Sequence, residues 1–406
     1  MAADEAILVI NSGSSSIKFA LFGPASAEPV RRWSGSLERI GFDDGRFVVR
    51  AADGTALIDE TGAIPGHAAA LDLLLDWIGN SGTDMALIAV GHRVVHGGEA
   101  CDCPHFVTPA LEARLTRLVP LAPLHQPHNL RGITAIGRRR PDLPQVACFD
   151  TAFHNDLPRV ARLTGLPRRF EEDGIRRYGF HGLSYEYVVG NLRRQEGDGA
   201  ANERIIAAHL GNGASMAAIR NGRSVETSMG FSTLAGLPMG TRPGDLDPGI
   251  VLHLLLERKM TPDEVQQMLY RESGLLGLSG LSRNMADLLA RRDVPEAAEA
   301  IGFFCHHARR HLAGLAAALG GVDRVIFTGG IGANSAEIRA RTCDGLGFLG
   351  LALDAERNAA HERVVSSDGS AVLIQAFQTD EELVIARHTR DLLGAQSVTG
   401  RAQAHG

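Results

Sequence analysis

The sequence predicts a two-domain α/β protein whose two halves repeat one plan. Three observations support this fold class. The chain has 406 residues, which is too many for one ordinary hydrophobic core. Predicted strands alternate with predicted helices along it. A strand, a small polar turn and a returning strand also occur near the start of each half, over 7–22 and 204–220.

The first of these hairpins has the composition of a phosphate-binding turn. A buried strand at 7–10 leads into the turn NSGSSS at 11–16, and the returning strand at 17–22 carries Lys18. Backbone N–H groups, hydroxyls and an ammonium group at one hairpin tip suit a chain of phosphates. The same composition is also common in ordinary solvent-exposed turns.

The second hairpin has the same build, with the turn GNGAS at 211–215. Two related halves that face each other across a nucleotide are the plan of actin-like ATPases and sugar kinases. By this analogy of fold we expect an actin-like, ribonuclease H-like duplicated core with a nucleotide cleft between the domains. The predicted domains are 1–150, completed by a C-terminal helix at about 383–406, and 151–382, which carries the nucleotide-binding motifs.

The elements of the first half follow in order. Strands are predicted at 32–39 and 45–51, and apolar residues at i, i+3, i+4 and i+7 predict a helix over 66–78. A buried strand at 87–95 precedes a helix that begins at Pro109, after the N-cap Thr108, and ends near 118. Another helix ends at about 140, and a strand covers 145–149.

The second half repeats the alternation. A helix begins near Tyr185, the second hairpin is extended by the turn Asn221-Gly222, and helices cover 249–258, 262–271 and 295–319. A strand, a glycine turn and the start of a helix lie at 325–334. A last strand at 371–376 precedes the final helix. Thr379 is a plausible N-cap for that helix. The glycine-rich segment 227–248 has no periodicity and is the kind that carries function.

Composition excludes several classes of function. A hydrophobic fraction of 44% with 22% charged residues indicates a globular protein, and a net charge of −6 argues against nucleic-acid or anionic-membrane binding. There is no basic leader before the first strand and no apolar run of 18 residues. The odd, scattered cysteines indicate reduced thiols and a cytoplasmic protein, and Cys101-Asp-Cys103 lacks the spacing of a zinc site.

The motifs together resemble those of one family, the acetate kinases of the acetate and sugar kinase, Hsp70 and actin superfamily. The matching segments run in the family's order over nearly the whole chain: INSGSSSIK, GHRVVHGG, APLH, FDTAFH, YGFHG, HLGNG, MGTRPGDLDP, GGIGAN and TDEEL. The resemblance implies reversible transfer of phosphate from ATP to acetate, giving acetyl phosphate and ADP by direct in-line transfer. It also implies Mg²⁺, which Mn²⁺ can replace, and a homodimer formed through the second domain.

The resemblance also assigns catalytic roles. Arg93 holds the substrate carboxylate, and Arg242 and His181 bind the transferring phosphoryl group. These roles suit a reaction that brings two anions together. An Arg at a strand end is otherwise often a surface ion pair, and His181 could be a packed core histidine. Asp150 matches a catalytic acid/base, but acetate is already ionised at neutral pH, so we interpret Asp150 as orienting an Arg or metal-bound water.

The binding positions follow from the same resemblance. Those for the metal are Asn11 and Glu381, although an acidic residue at a helix start also favours the helix dipole. The nucleotide positions are Lys18, His209, Leu210, Gly211, Asn212, Gly213, Asn284, Met285, Ala286, Gly330, Ile331, Gly332, Ala333 and Asn334. The substrate pocket is lined by Val95, Leu124, Phe180 and Thr233, each of which could instead be ordinary core.

Two departures from the family pattern concern the nucleotide. Asn284-Met285-Ala286 stands where the family has Asp-Phe-Arg against the ribose and base, and Ala333 replaces a usual Glu. The loss of the aromatic residue and the Arg predicts weak base selectivity but leaves phosphate binding intact.

Two alternatives remain beside acetate kinase. A propionate or butyrate kinase would use the same mechanism. An actin- or Hsp70-like ATPase belongs to another class, and Arg93 with an apolar pocket argues against it, because hydrolysis by water needs no anchor for a carboxylate.

Overall fold

The computed structural model describes residues 4–23, 28–80 and 85–403. Contacts divide the chain into two compact units: unit 1 is Met1–Ala152 with Asp380–Gly406, and unit 2 is Phe153–Thr379. The final three residues of the predicted C-terminal helix, 404–406, lie outside the described residues.

Unit 1 is built on an eight-stranded sheet of order β5-β4-β3-β2-β1-β6-β8-β7. Strands β1 to β5 are antiparallel neighbours, β6 and β8 run parallel to β1, and β7 pairs antiparallel with β8. The strands are β1 Asp4–Ser12, β2 Ser16–Gly23, β3 Val30–Glu38, β4 Gly45–Ala51, β5 Ala56–Gly62, β6 Met85–Val94, β7 His105–Phe106 and β8 Gln145–Phe149.

The helices of unit 1 cover this sheet with the apolar faces that the periodicity predicts. They are α1 His67–Asn80, α2 Pro109–Arg117, α3 Gln126–Arg139 and the C-terminal helix, with a 3₁₀ turn at Val119–Leu121. Leu71 and Leu74 of α1 are buried in one cluster with Ile136 of α3. The Thr108 side chain accepts from the Leu111 N–H, which confirms the predicted N-cap.

The C-terminal helix, Glu381–Gln403, packs on the sheet of unit 1 against β1, β2, β6 and β8. A Cβ on Gly91 of β6 would lie 2.5 Å from Ile385 and 2.6 Å from the Thr389 hydroxyl, so glycine allows this close approach. The helix is capped by Asp380, whose carboxylate accepts from the Leu383 N–H. The predicted cap at Thr379 is therefore wrong, because the Asp one residue later supplies the acceptor.

Unit 2 is built on a five-stranded sheet of order β11-β10-β9-β12-β13. Its strands are β9 Ile205–Leu210, β10 Ala214–Arg220, β11 Arg223–Thr227, β12 Arg324–Thr328 and β13 Leu373–Ala376. The first three are antiparallel, and β12 and β13 run parallel to β9. Asn221 and Gly222 have φ of +53° and +70°, which confirms the predicted two-residue turn.

The helices of unit 2 are numbered along the chain after those of unit 1. They are α4 Arg159–Arg162, α5 Arg169–Glu172, α6 Gly182–Glu196, α7 Asp198–Asn202, α8 Pro248–Leu256, α9 Pro262–Gln267, α10 Gly274–Ser279, α11 Met285–Leu289, α12 Pro295–Leu319, α13 Gly329–Asn334, α14 Ala336–Cys343 and α15 Ala355–Ala359, so the C-terminal helix is α16. A π-helical turn follows α9 at Met268–Glu272, and 3₁₀ turns lie at Ala152–His154 and Gly347–Leu349. Between β11 and α8 the chain is irregular, as predicted.

The two sheets share a topology, which confirms the duplicated α/β core of an actin-like fold. The order β3-β2-β1-β6-β8 in unit 1 corresponds to β11-β10-β9-β12-β13 in unit 2, with the same antiparallel and parallel pairings. Strands β5 and β7 were not predicted. Strand β5 is a mostly exposed edge strand whose apolar residues 56–58 are consecutive rather than alternating, and β7 has two residues, so neither shows the period of a strand.

Within the described parts of the chain, no helix combines the length and the apolar character needed to cross a bilayer.

Candidate active site

Strands β6 and β8 of unit 1 bring Arg93 and Asp150 together. The two strands are parallel neighbours, Arg93 lies opposite Cys148, and Asp150 follows the end of β8. Arg93 donates from Nε and Nη2 to the two Asp150 oxygens, at 3.0 and 2.8 Å. The Asp150 side chain is only 2% exposed, so this is a buried bidentate pair rather than a surface ion pair.

A second carboxylate approaches the same guanidinium. Glu381, at the start of α16, lies 3.5 Å from Arg93 Nη1. Burial opposes the charge of Arg93, but the carboxylates of Asp150 and Glu381 outweigh it and raise the pKa of the guanidinium. Arg93 is therefore a fixed positive charge at the carboxyl ends of β6 and β8.

The predicted metal positions and Lys18 also lie in unit 1. Asn11 is near the end of β1 and pairs across the hairpin with Lys18 of β2, which is exposed. Glu381 begins α16, the helix that packs against β1. An amide oxygen and a carboxylate are the hard donors that Mg²⁺ prefers, so the residues present fit this ion.

Two buried amides hold the segment after Arg93. Asn129 of α3 accepts from the Val95 N–H at 3.0 Å and donates to the Ser12 carbonyl at 2.9 Å. Gln126 is fully buried and bonds both backbone groups of His96. Asn129 thereby links Val95, a predicted pocket residue, to Ser12 at the end of β1. Leu124, another predicted pocket residue of unit 1, is half-buried in the loop before α3.

In unit 2, His181 has an unusual backbone and a fixed ring. Its φ of +59° lies in the left-handed region, which non-glycine residues rarely adopt and which concentrates at functional sites. Its Nδ1 is 2.8 Å from the Ser215 hydroxyl, and the Tyr185 hydroxyl bonds the same Ser215 oxygen. Neither Ser215 nor Tyr185 was predicted. Both are fully buried, and ordinary core or strand residues give no sequence signal for such a role.

His181 and Arg242 converge on the tip of the second hairpin. A Cβ on Gly213 would lie 3.1 Å from His181 Nε2 and 3.2 Å from Arg242 Nη2, so both groups face the same point. Arg242 comes from the irregular segment before α8, and its Nη1 donates to the Thr233 carbonyl at 2.9 Å.

The charge of Arg242 is not balanced by a carboxylate within the described residues. Burial lowers the pKa of its guanidinium to about 10, with a small opposing contribution from Tyr270. At neutral pH the group still carries its charge. A desolvated cation without a carboxylate partner has the charge and the donors to bind an external anion.

His209, a predicted nucleotide residue, stacks on His181. The ring centroids are 4.4 Å apart, and His209 Nδ1 is 2.8 Å from the Ser184 hydroxyl. Ser184 in turn bonds the Thr379 hydroxyl at 3.0 Å. The hydroxyl of Thr379 thus supports the histidine pair instead of capping α16.

The second hairpin and the GGIGAN segment meet through backbone atoms. A Cβ on Gly329 would lie 2.6 Å from the Leu210 carbonyl oxygen, and one on Gly211 would lie 3.7 Å from the Gly330 nitrogen. Only glycine fits at 329, where φ is also +75°. The predicted nucleotide residues of these two segments, 209–213 and 330–334, therefore form one surface.

A fully buried arginine that was not predicted supports this surface. Arg339 donates from Nη1 to the carbonyls of Gly332 and Ala333, at 3.0 and 2.8 Å. Its Nε donates to the Asn358 side chain at 2.7 Å. Arg339 fixes the far end of α13 and has no free face for a ligand.

The remaining predicted residues of unit 2 differ in exposure. Asn284 and Ala286 are exposed, and the Asn284 amide donates to Asp287 at 3.3 Å. Met285 is only 4% exposed, so most of its side chain packs inside unit 2. The predicted pocket residues Phe180 and Thr233 are both buried.

The sequence and the fold are similar to those of one set of known proteins. The sequence model of the protein family described as the Acetokinase family matches residues 6–387 of this chain. An acetate kinase of Rhodopseudomonas palustris is 49% identical over 95% of this chain and 97% of its own length. The structure of Porphyromonas gingivalis acetate kinase matches with a TM-score of 0.85 at 33% identity, over 96% of this chain and 100% of that one. The structure of a propionate kinase from Francisella tularensis matches with a TM-score of 0.88 at 34% sequence identity, over 95% of this chain and 98% of that one.

Proposed function

The chain belongs to the acetokinase family, and we propose that it is an acetate kinase. It transfers the terminal phosphoryl group of ATP to acetate, giving acetyl phosphate and ADP, and the same site runs the reaction in reverse. The observation that carries the proposal is the convergence of His181 and an unbalanced Arg242 on the tip of the second hairpin. We assign the acetate anchor Arg93 to unit 1 and the phosphoryl-binding pair His181 and Arg242 to unit 2.

Arg93 binds the acetate carboxylate. Asp150 occupies Nε and Nη2, so Nη1, 3.5 Å from Glu381, is the part of the guanidinium that we assign to the substrate. The positive charge offsets the repulsion between the carboxylate and the incoming phosphate. The carboxylate then keeps one oxygen free as the nucleophile.

Arg242 and His181 stabilise the phosphoryl group during transfer. If the Ser215 hydroxyl donates to His181 Nδ1, the ring proton is on Nε2, the nitrogen that faces Gly213. Two donors aimed at one point match the equatorial oxygens of a phosphoryl group between its donor and acceptor. Direct in-line transfer therefore needs no covalent intermediate on the protein.

Asp150 orients Arg93 rather than moving a proton. Acetate is ionised at neutral pH, so the forward reaction has no proton for a base to remove. Both oxygens of the Asp150 carboxylate accept from Arg93, which fixes the guanidinium plane. A carboxylate whose two oxygens both accept from one guanidinium acts as an orienting group.

Asn11 and Glu381 would hold Mg²⁺, which Mn²⁺ can replace. The bound ion would neutralise charge on the nucleotide phosphates. Lys18, the hairpin turns and the segment 330–334 would bind the phosphates through an ammonium and backbone N–H groups.

The family resemblance assigns Val95 and Leu124 of unit 1, and Phe180 and Thr233 of unit 2, to the short acyl chain of the substrate. These residues offer mainly apolar surface and suit a methyl group. Propionate would add one methylene, worth about 1–3 kcal/mol in such a pocket, so activity with propionate at reduced kcat/KM is compatible with the proposal.

The proposed function is tested in the reverse direction. Purified protein with acetyl phosphate, ADP and Mg²⁺ should form ATP, measured as light from luciferase. Inorganic phosphate in place of acetyl phosphate is the control and should give none. If no ATP forms at any of the acetyl phosphate concentrations tested, the proposal is contradicted.

Base selectivity should be weak. Phosphate contacts do not distinguish bases, so discrimination must come from contacts near Asn284, where each stack or hydrogen bond is worth about 1–3 kcal/mol. Met285 is largely buried and can offer little surface to a purine. We expect kcat/KM for ATP to exceed that for GTP by about tenfold, at saturating acetate and Mg²⁺, with UTP as a third nucleotide.

An ATP preference over GTP beyond about 100-fold, equal to about 2.7 kcal/mol, would mean that another segment recognises adenine. Asn284→Ala tests the same loop, because it should change the ratio between the nucleotides without changing the KM for acetate.

The protein would form a homodimer through unit 2. Helix α8, PGIVLHLLL, has no buried residue, and Ile250, Leu252 and Leu256 are 45%, 56% and 58% exposed. A second copy is the occupant that we propose, because family resemblance implies a dimer through this half and α8 carries no charge that would select another partner.

Leu252→Asp should convert the dimer to a monomer, because each carboxylate would be buried in the symmetric contact. Sedimentation at micromolar concentration should give the mass of two chains for the wild type and of one for the variant. Val160→Asp, which replaces an exposed apolar residue elsewhere in unit 2, should remain dimeric. A wild-type mass of one chain would reject the interface.

A cytoplasmic location agrees with this function. All five cysteines are free, and four of them are buried, as expected of a protein that works where thiols stay reduced.

A further inference from the structure

Three potential metal ligands lie together on the loop that follows β6. The carboxylate of Asp102, the thiol of Cys103 and the imidazole of His105 each offer one donor atom, and these atoms lie within 4.8 Å of one another. Asp102 and Cys103 are exposed and His105 is half-buried, so an ion can reach the group from solvent.

The spacing of the sulfur and nitrogen atoms is close to that around a tetrahedral ion. Cys103 Sγ is 3.9 Å from His105 Nε2. A zinc ion with bonds of about 2.3 Å to sulfur and about 2.0 Å to nitrogen at the tetrahedral angle separates these ligands by about 3.5 Å. A small side-chain rotation would bring both atoms to bonding distance, and a carboxylate and water would complete four ligands.

The fold holds one ligand in place and leaves the other two adaptable. His105 belongs to β7, where it pairs with Ala147 of β8, and its ring lies 6.1 Å from that of Phe149. Asp102 and Cys103 lie in the exposed bend before the strand. Cys101 takes no part, because it is buried and its sulfur faces Arg114.

We propose that Asp102, Cys103 and His105 form a binding site for a soft divalent cation such as Zn²⁺ or Cd²⁺. The site is distinct from the oxygen ligands that we assign to Mg²⁺. The spacing of Cys101, Asp102 and Cys103 alone does not indicate this site, because Cys101 is not one of its ligands. His105, two residues after Cys103, is the third ligand. On binding, the thiol loses its proton to solvent and the thiolate becomes a ligand.

The experiment uses the fact that Cys103 is the exposed thiol in the described chain. Full-length reduced protein, in excess Mg²⁺ to occupy oxygen sites, is titrated with Zn²⁺ while a thiol-specific disulfide reagent labels the protein. Zn²⁺ should slow the fast labelling phase, and Cys103→Ser should lack that phase. Cd²⁺ should give a cadmium–thiolate charge-transfer absorption in the wild type and none in Cys103→Ser.

The other ligands distinguish a built site from a thiol that binds metal alone. His105→Ala should raise the Zn²⁺ concentration for half-protection by about tenfold or more, whereas His306→Ala, an exposed histidine on α12, should leave it unchanged. Asp102→Asn should weaken protection as well. Equal protection in wild type and His105→Ala, or no effect of Zn²⁺ on labelling, would overturn the proposal.

Discussion

Replacing Arg242 or His181 by alanine should lower kcat by about 100-fold or more, because in the proposed mechanism both contact the phosphoryl group most strongly during transfer. The KM values for acetate and ATP should change much less. Both side chains face the tip of the second hairpin, so the double variant should lose far less than the product of the two single effects. Steady-state rates of acetyl hydroxamate formation measure all three variants.

Arg341→Ala serves as the matched control for Arg242→Ala. Arg341 belongs to the same unit but makes a surface ion pair with Glu337, one turn away on α14, so its loss should leave kcat unchanged. A normal kcat in Arg242→Ala or in His181→Ala would remove that residue from the phosphoryl site.

Arg93→Ala should raise the KM for acetate strongly and leave the KM for ATP nearly unchanged. A charge-assisted contact with the carboxylate is lost, which is worth about 1.5–3 kcal/mol, or about 10- to 150-fold in acetate affinity. Initial rates over a grid of acetate and ATP concentrations separate the two constants.

Two further measurements distinguish a loss of acetate binding from a folding defect. Removing Arg93 leaves the buried Asp150 carboxylate without its bidentate donor, so the unfolding temperature of the variant should be measured with its kinetics. Arg93→Lys keeps the charge but not the two-point contact, so its KM for acetate should lie between those of the wild type and Arg93→Ala. Equal changes in the KM for acetate and for ATP would place Arg93 outside the acetate site.

The repeated strands and their hairpins could be predicted because their signals are local. Buried strands of the two sheets are short apolar runs, and the turns between them consist of glycine, serine and asparagine. Helix α12 was predicted with its observed ends, since Pro295 and Gly320 mark them. Two strands were not predicted: β5 is mostly exposed and has no alternating apolar pattern, and β7 has too few residues to show a period.

The supports of the candidate site could not be predicted, because they join residues far apart in sequence. Asn129 bonds the Ser12 carbonyl across 117 residues, and Ser184 bonds Thr379 across 195. The left-handed backbone of His181 also has no sequence signal, since histidine rarely adopts it without a surrounding structure that enforces it. The motifs therefore predict the candidate residues, and the long-range hydrogen bonds show which groups hold them in place.

The central claim is that phosphate passes to a carboxylate and not to water. The most direct measurement counts acyl hydroxamate and ADP formed in the same reaction with ATP, Mg²⁺, acetate and hydroxylamine. We predict equal amounts of the two products, with ADP formation falling to background when acetate is omitted. ADP formed without hydroxamate, at a rate that does not depend on acetate, would identify an ATPase and contradict the account.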